Sequence, residues 1–256
     1  MPVNYVDFEQ ARTQQGLRMV VVPGIPSPWA EAAKGILHVK NIPWAAVRLD
    51  QRNNDMAQWT GTRSGPVAML NDDAPRMGWR EILSLAEELS NEPSLLPTEP
   101  KALEQALELC QAICGEKGLG WMRRLDSVHN GLNSTGGFIE PIAKYLGSKY
   151  GYEAEQGQHY ASHVTKLLNM LAQRLQEQRK KGERFYVGSQ LSAVDIYSAC
   201  FIAYFKPLPQ EQCAMDKSMR VTFENMDESI AAALDPILIE HRDFIYGEFL
   251  ELPLTL

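Results

Sequence analysis

The chain has 256 residues, 45% of them hydrophobic, and a formal net charge of -7. That is enough apolar material for one large domain or two small ones, and an acidic balance with no long basic block argues against nucleic acid as a partner. No apolar run reaches the roughly 18 residues that a membrane span needs, and the opening MPVNYVDFEQ has neither the basic nor the apolar region of a signal peptide.

Residues 1–16 read as a polar N-terminal extension with a helical turn at Phe8 to Thr13. Leu17 to Val22 is a β-branched run stopped by Pro23-Gly24, a buried strand and its turn. Ser27-Pro28 then opens a helix, Pro being favoured at the first helical position, and Trp29, Ala32, Ala33, Ile36 and Leu37 recur at helical spacing. Trp44 to Leu49 is a second strand, close enough behind the helix to complete a βαβ unit. The stretch from Asp50 to Ser64 is polar and irregular. Gly65-Pro66 introduces a third strand at Val67 to Leu70, Pro75 to Met77 is a short fourth, and a helix runs from about Trp79 to Leu89. The order, β-α-β, a loop, then β-β-α, is thioredoxin-like.

Residues 91–100, NEPSLLPTEP, hold three prolines and no period, and read as a linker. Residues 101–256 read as all-helical. Helices are expected at Lys101 to Gly115, Trp121 to Val128, Phe138 to Tyr150, a long one through Tyr160 to Leu175 ending at Lys180-Lys181-Gly182, and Ile237 to Phe249 behind Asp235-Pro236. Ser192 to Phe205 is apolar on nearly every side yet too short to span a bilayer, so it is a buried helix. Ser192 and Asp195 have the spacing of a capping box at its start. The fold class is therefore α/β plus all-α, with residues 17–90 and 101–256 as the two domains. Cys110, Cys114, Cys200 and Cys213 form no CxxC and have no His at ligand spacing, so no metal is expected. Free thiols without a signal peptide point to a reducing, cytoplasmic setting.

Three stretches in this order resemble the glutathione transferase superfamily. SPWAEAAKGIL, from Ser27, resembles the turn where transferases place the residue that activates glutathione, with Ser where tau-like classes have Ser and omega-like ones Cys. Gly65-Pro66-Val67 resembles the element where a cis-Pro exposes backbone to the tripeptide, and FYVGSQLSAVDIYSA resembles the hallmark of the C-terminal domain. The resemblance implies Ser27 as the catalytic residue and Trp29, Gly65, Pro66, Val67, Gly78, Trp79 and Arg80 around glutathione. It also implies an apolar second-substrate wall from Trp121, Met122 and His129, and a homodimer. The chemistry stands without the family. A thiol is mostly protonated at neutral pH, and a hydroxyl at a helix N-terminus stabilises the thiolate. A plain helix cap at Ser27 and a trans-Pro at a strand start remain the alternatives.

The chain also departs from that pattern. Family members carry Glu-Ser where the fourth strand meets the next helix, to hold the γ-glutamyl end; here the pair is Gly78-Trp79, followed by Arg80. Two functions remain open. One is a transferase directing the glutathione thiolate at a small apolar electrophile. The other is a non-catalytic binding or scaffold protein on the same fold. Arg123 and Arg124 read as a solvated helical face.

Overall fold

The computed structural model describes residues 3–256. Five strands make one sheet: β1 (Tyr5–Val6), β2 (Leu17–Val21), β3 (Trp44–Arg48), β4 (Val67–Leu70) and β5 (Arg76–Met77), in the order β1-β3-β2-β4-β5. β2 is parallel to β3 and antiparallel to β4, while β1 adds a parallel edge and β5 an antiparallel one. All five residues of β2 are buried, as a central strand covered on both faces requires.

Short helices α1 (Phe8–Thr13) and α3 (Asn54–Thr60) supply Ala11 and Met56 to a cluster with Val20, Val47, Leu49, Val67 and Met69. Phe8 and Trp59 pack against this cluster and meet edge-on, ring centroids 5.7 Å apart. Met19 and Val21 point the other way along the strand and are equally buried. α2 (Pro28–Val39) and α4 (Gly78–Leu89) pack on one another, and Ile36, Leu37, Ile82 and Leu83 are buried.

The other helices are α5 (Pro100–Cys114), α6 (Leu119–Leu132), α7 (Glu140–Tyr150), α8 (Gly157–Lys180), α9 (Ala193–Ile202), α10 (Lys217–Glu224), α11 (Glu228–Ala233) and α12 (Pro236–Phe249). α6 packs on α7 and α8, and α5 on α9. Every residue of α9 is buried. The chain forms two compact units. One holds residues up to Leu95 together with Pro209–Met215 and Tyr246–Leu256; the other holds Leu96–Leu208 and Asp216–Ile245. Among the described residues no helix is long and apolar enough to cross a membrane.

Three sequence expectations change. Tyr5–Val6, inside the stretch read as a polar extension, is a strand of the sheet, while the helix expected at Phe8–Thr13 is present and packs against the sheet. The irregular stretch after β3 contains α3, which has only two fully buried residues and whose Asn53 cap accepts from the Met56 amide at 2.9 Å. A Cβ at Gly65 would meet Val20 O at 3.0 Å, so the close neighbour of this glycine is β2. Arg123 is not solvated. It is fully buried, paired with Asp126 at 2.7 Å and donating to the Phe223 and Asn225 carbonyls.

Candidate functional site

Sheet register decides which of the candidate residues can meet. Val67, at the start of β4, is opposite Val20 near the end of β2 and opposite Met77 at the end of β5. Gly65-Pro66 immediately precedes Val67, Gly78-Trp79 immediately follows Met77, and the chain beyond β2 leads to Ser27. All of these therefore lie at one end of the sheet. α2 and α4 both begin there, and helix N-termini carry unpaired amides and a partial positive charge that suit an anion.

Ser27 is the N-cap of α2 and is buried, 6% exposed. Its carbonyl accepts from the Glu31 amide at 2.8 Å, so its backbone starts the helix, but its hydroxyl makes no capping bond. Pro28 occupies the first helical position. The Gly65–Pro66 bond is cis. Val67 lies between β2 and β5 in the ladder, and Gly65 and Pro66 have no place in it.

At α4 the geometry is specific to this chain. Gly78 has φ +74, a left-handed conformation that favours glycine, with no atom within 4 Å of an added Cβ. The Met77 amide donates to Glu81 Oε2 at 2.6 Å, so a carboxylate already faces the start of this helix. Trp79 is 9% exposed, and the Arg80 guanidinium lies over its ring at 5.0 Å, leaving Arg80 as the exposed cation. Glu81 escaped the sequence reading. Its only signal was an acid in the first turn, which is common for dipole reasons alone.

The residues expected to wall a second-substrate site have partners inside the helical unit. Trp121 donates to the Tyr150 carbonyl at 3.2 Å and stacks edge-on with its ring at 4.7 Å. Met122 is buried, and His129 Nδ1 is 3.0 Å from the Tyr152 hydroxyl. Trp29, next to Ser27, is half-buried on the first turn of α2.

Ser192 and Asp195 meet at the start of α9, and the geometry is richer than a cap. Asp195 Oδ2 accepts from the Ser192 amide at 2.9 Å and hydroxyl at 2.7 Å, while Oδ1 accepts from the Tyr186 amide and lies 3.0 Å from His241 Nε2. All of it is buried, so the cluster is internal to this unit. His241, a lone histidine far along the chain, carried no sequence signal for this role. Cys110, Cys114, Cys200 and Cys213 are buried free thiols, and burial pushes the Cys114 thiol up, away from reactivity. No set of His, Cys, Asp and Glu among the described residues could hold a metal ion.

Residues 138–213 match the family model of the glutathione S-transferase C-terminal domain. No curated protein matches the sequence significantly. Solved structures do match in fold. A glutathione S-transferase domain-containing protein from Marinobacter aquaeolei VT8 superposes with a TM-score of 0.60 at 14% identity, over 90% of this chain and 98% of that one. A glutathione transferase homologue from Sulfitobacter with bound glutathione gives 0.52 at 15%, over 86% and 97%. A maleylacetoacetate isomerase from Methylobacterium extorquens AM1, with bound malonate and glutathione, gives 0.51 at 20%, over 86% and 98%.

Proposed function

We propose that the chain is a member of the glutathione S-transferase superfamily, a reading supported by its fold and by the family match of residues 138–213, and that it binds glutathione at this end of the sheet and uses its thiolate. The observation that carries this reading is the Ser27 hydroxyl. It sits buried at the N-terminus of α2 without capping the helix it begins, and so has a donor to offer. A thiolate accepting that hydrogen bond in the field of the helix is favoured over the thiol. The backbone at Gly65 and Pro66 would hold the cysteinyl part. In place of the missing Glu-Ser pair, Arg80 would meet the γ-glutamyl carboxylate and Glu81 its ammonium. The thiolate would attack a small apolar electrophile: a carbon–sulfur bond forms, the leaving group departs with its electron pair, and the thiol proton passes to solvent. The family likeness also implies a homodimer, and the buried free thiols suit a reducing cytoplasm.

A second reading, a binding or scaffold protein without turnover, is favoured by α4. Trp79 is buried, and a carboxylate already occupies the Met77 amide. Calorimetric titration of glutathione into wild type and Ser27→Ala tests both. Losing one hydrogen bond to a charged sulfur should raise the bound thiol's pKa by about 1–2, with affinity less affected. Binding with an unshifted thiol in wild type would support the binder; no binding at all would sink the glutathione reading.

A further inference from the structure

A cavity of about 180 Å³ runs along a different face of α2, lined by Glu31, Lys34 and His38 at successive helical turns and by residues 41–44. The chain from Leu250 to Thr255 closes it, and every lining residue belongs to the first compact unit. None of the residues assigned above to glutathione lines it. By helix rise, His38 lies about 16 Å along the axis from Ser27.

The charges in this cavity do not balance. Glu31 and Lys34 form a buried pair at 2.7 Å, and the Lys34 ammonium also donates to the Thr255 carbonyl at 2.8 Å. That cation is therefore committed to Glu31 and the Thr255 carbonyl. Among the described residues, the partly exposed Glu251 has His38 as its one ion-pair partner, at 3.7 Å, which is too far for a hydrogen bond, and His38 Nδ1 has no hydrogen-bond partner. The cavity thus holds two carboxylates, Glu31 and Glu251, and one lysine. Burial pushes the Glu31 carboxyl up, Lys34 pulls it down, and Glu251 adds a smaller upward push. Around the acids the walls are apolar: Leu37, Ile42, Trp44, Tyr246, Leu250 and Leu254. An apolar cavity of about 150 Å³ is known to hold one benzene, so this one has room for a single ring or a short alkyl chain.

We propose that the cavity is a second ligand site, for a small primary amine whose ammonium pairs with Glu251 and whose apolar body fills the space beside Trp44. The proposal is independent of the glutathione reading. Benzylamine is the probe, titrated by calorimetry and followed at the Trp44 indole N–H resonance. We expect one site per chain and a shift of that resonance. Benzyl alcohol, the same shape without the charge, should bind about tenfold more weakly or worse, and so should benzylamine to the isosteric Glu251→Gln variant. Leu254→Trp, which fills the cavity from the chain segment that closes it, should abolish binding. The proposal fails if benzylamine does not bind, if it binds Glu251→Gln as well as wild type, or if it binds without moving the Trp44 resonance.

Discussion

Asp195 is a carboxylate with no access to water, made tolerable by four contacts, from the Ser192 amide and hydroxyl, the Tyr186 amide and His241. Removing a buried acceptor leaves each donor unsatisfied, and that asymmetry sets the cost. Asp195→Ala should lose about 3 kcal/mol of stability, whereas His241→Phe, which gives up one contact at similar volume, should lose about 1 kcal/mol. Urea midpoints compare the two, and equal losses would show that the amide contacts carry no weight. Glu31 behaves differently. Burial raises its pKa more than Lys34 lowers it, so the folded state holds its proton more tightly than the unfolded chain does. Its stabilising contribution is then complete below the ordinary glutamate range and lost as pH rises through the raised value. Wild type should therefore gain stability relative to Glu31→Gln as pH falls from neutrality toward that range. Thermal midpoints across the window read this directly, and a difference that stays flat or reverses would show that the ion pair outweighs burial.

Among the elements, β1 and α1 illustrate how a short segment becomes indispensable. Arg18 is buried in the middle of the sheet, and its guanidinium donates to the carbonyls of Ala11, Gly16 and Asn71. Ala11 is in α1, which also lays Phe8 against the sheet cluster. Deleting residues 1–14 would expose that face and leave part of a buried cation unpaired, costing about 4 kcal/mol or more. Circular dichroism and limited proteolysis of the shortened protein should show the first unit unfolded; a native melting curve would mean that the segment is dispensable. Elements with a sustained period and a clear boundary, β2, α2, β3, β4, α4 and α9, were legible in the sequence to within a few residues. β1, α3, α10 and α11 were not: they have two to eight residues, few buried apolar side chains, and an identity that comes from what they cover.

At the scale of the molecule, the same division separates what a sequence can say about the site. The cis bond at Gly65-Pro66 was expected only from the family resemblance, whereas the helix start at Ser27-Pro28 was legible because it is a local pattern with a local cause. The bond from Met77 to Glu81, the stacking of Arg80 on Trp79, and the depth of Arg123 were not, since each depends on how a turn closes or on which carbonyls arrive from elsewhere in the chain. Membership of the two units has a further consequence. The unit that holds the sheet also contains Pro209–Met215 and Tyr246–Leu256. Synthesis runs from the N-terminus, so a ribosome has made the strands and most of the helical residues before Glu251 and Thr255 exist. The sheet-bearing unit, first to be translated, is thus the last to be completed. Until then Lys34 has no Thr255 carbonyl to receive its proton donor, and the nascent sheet must wait with one wall of its α2 cavity unbuilt.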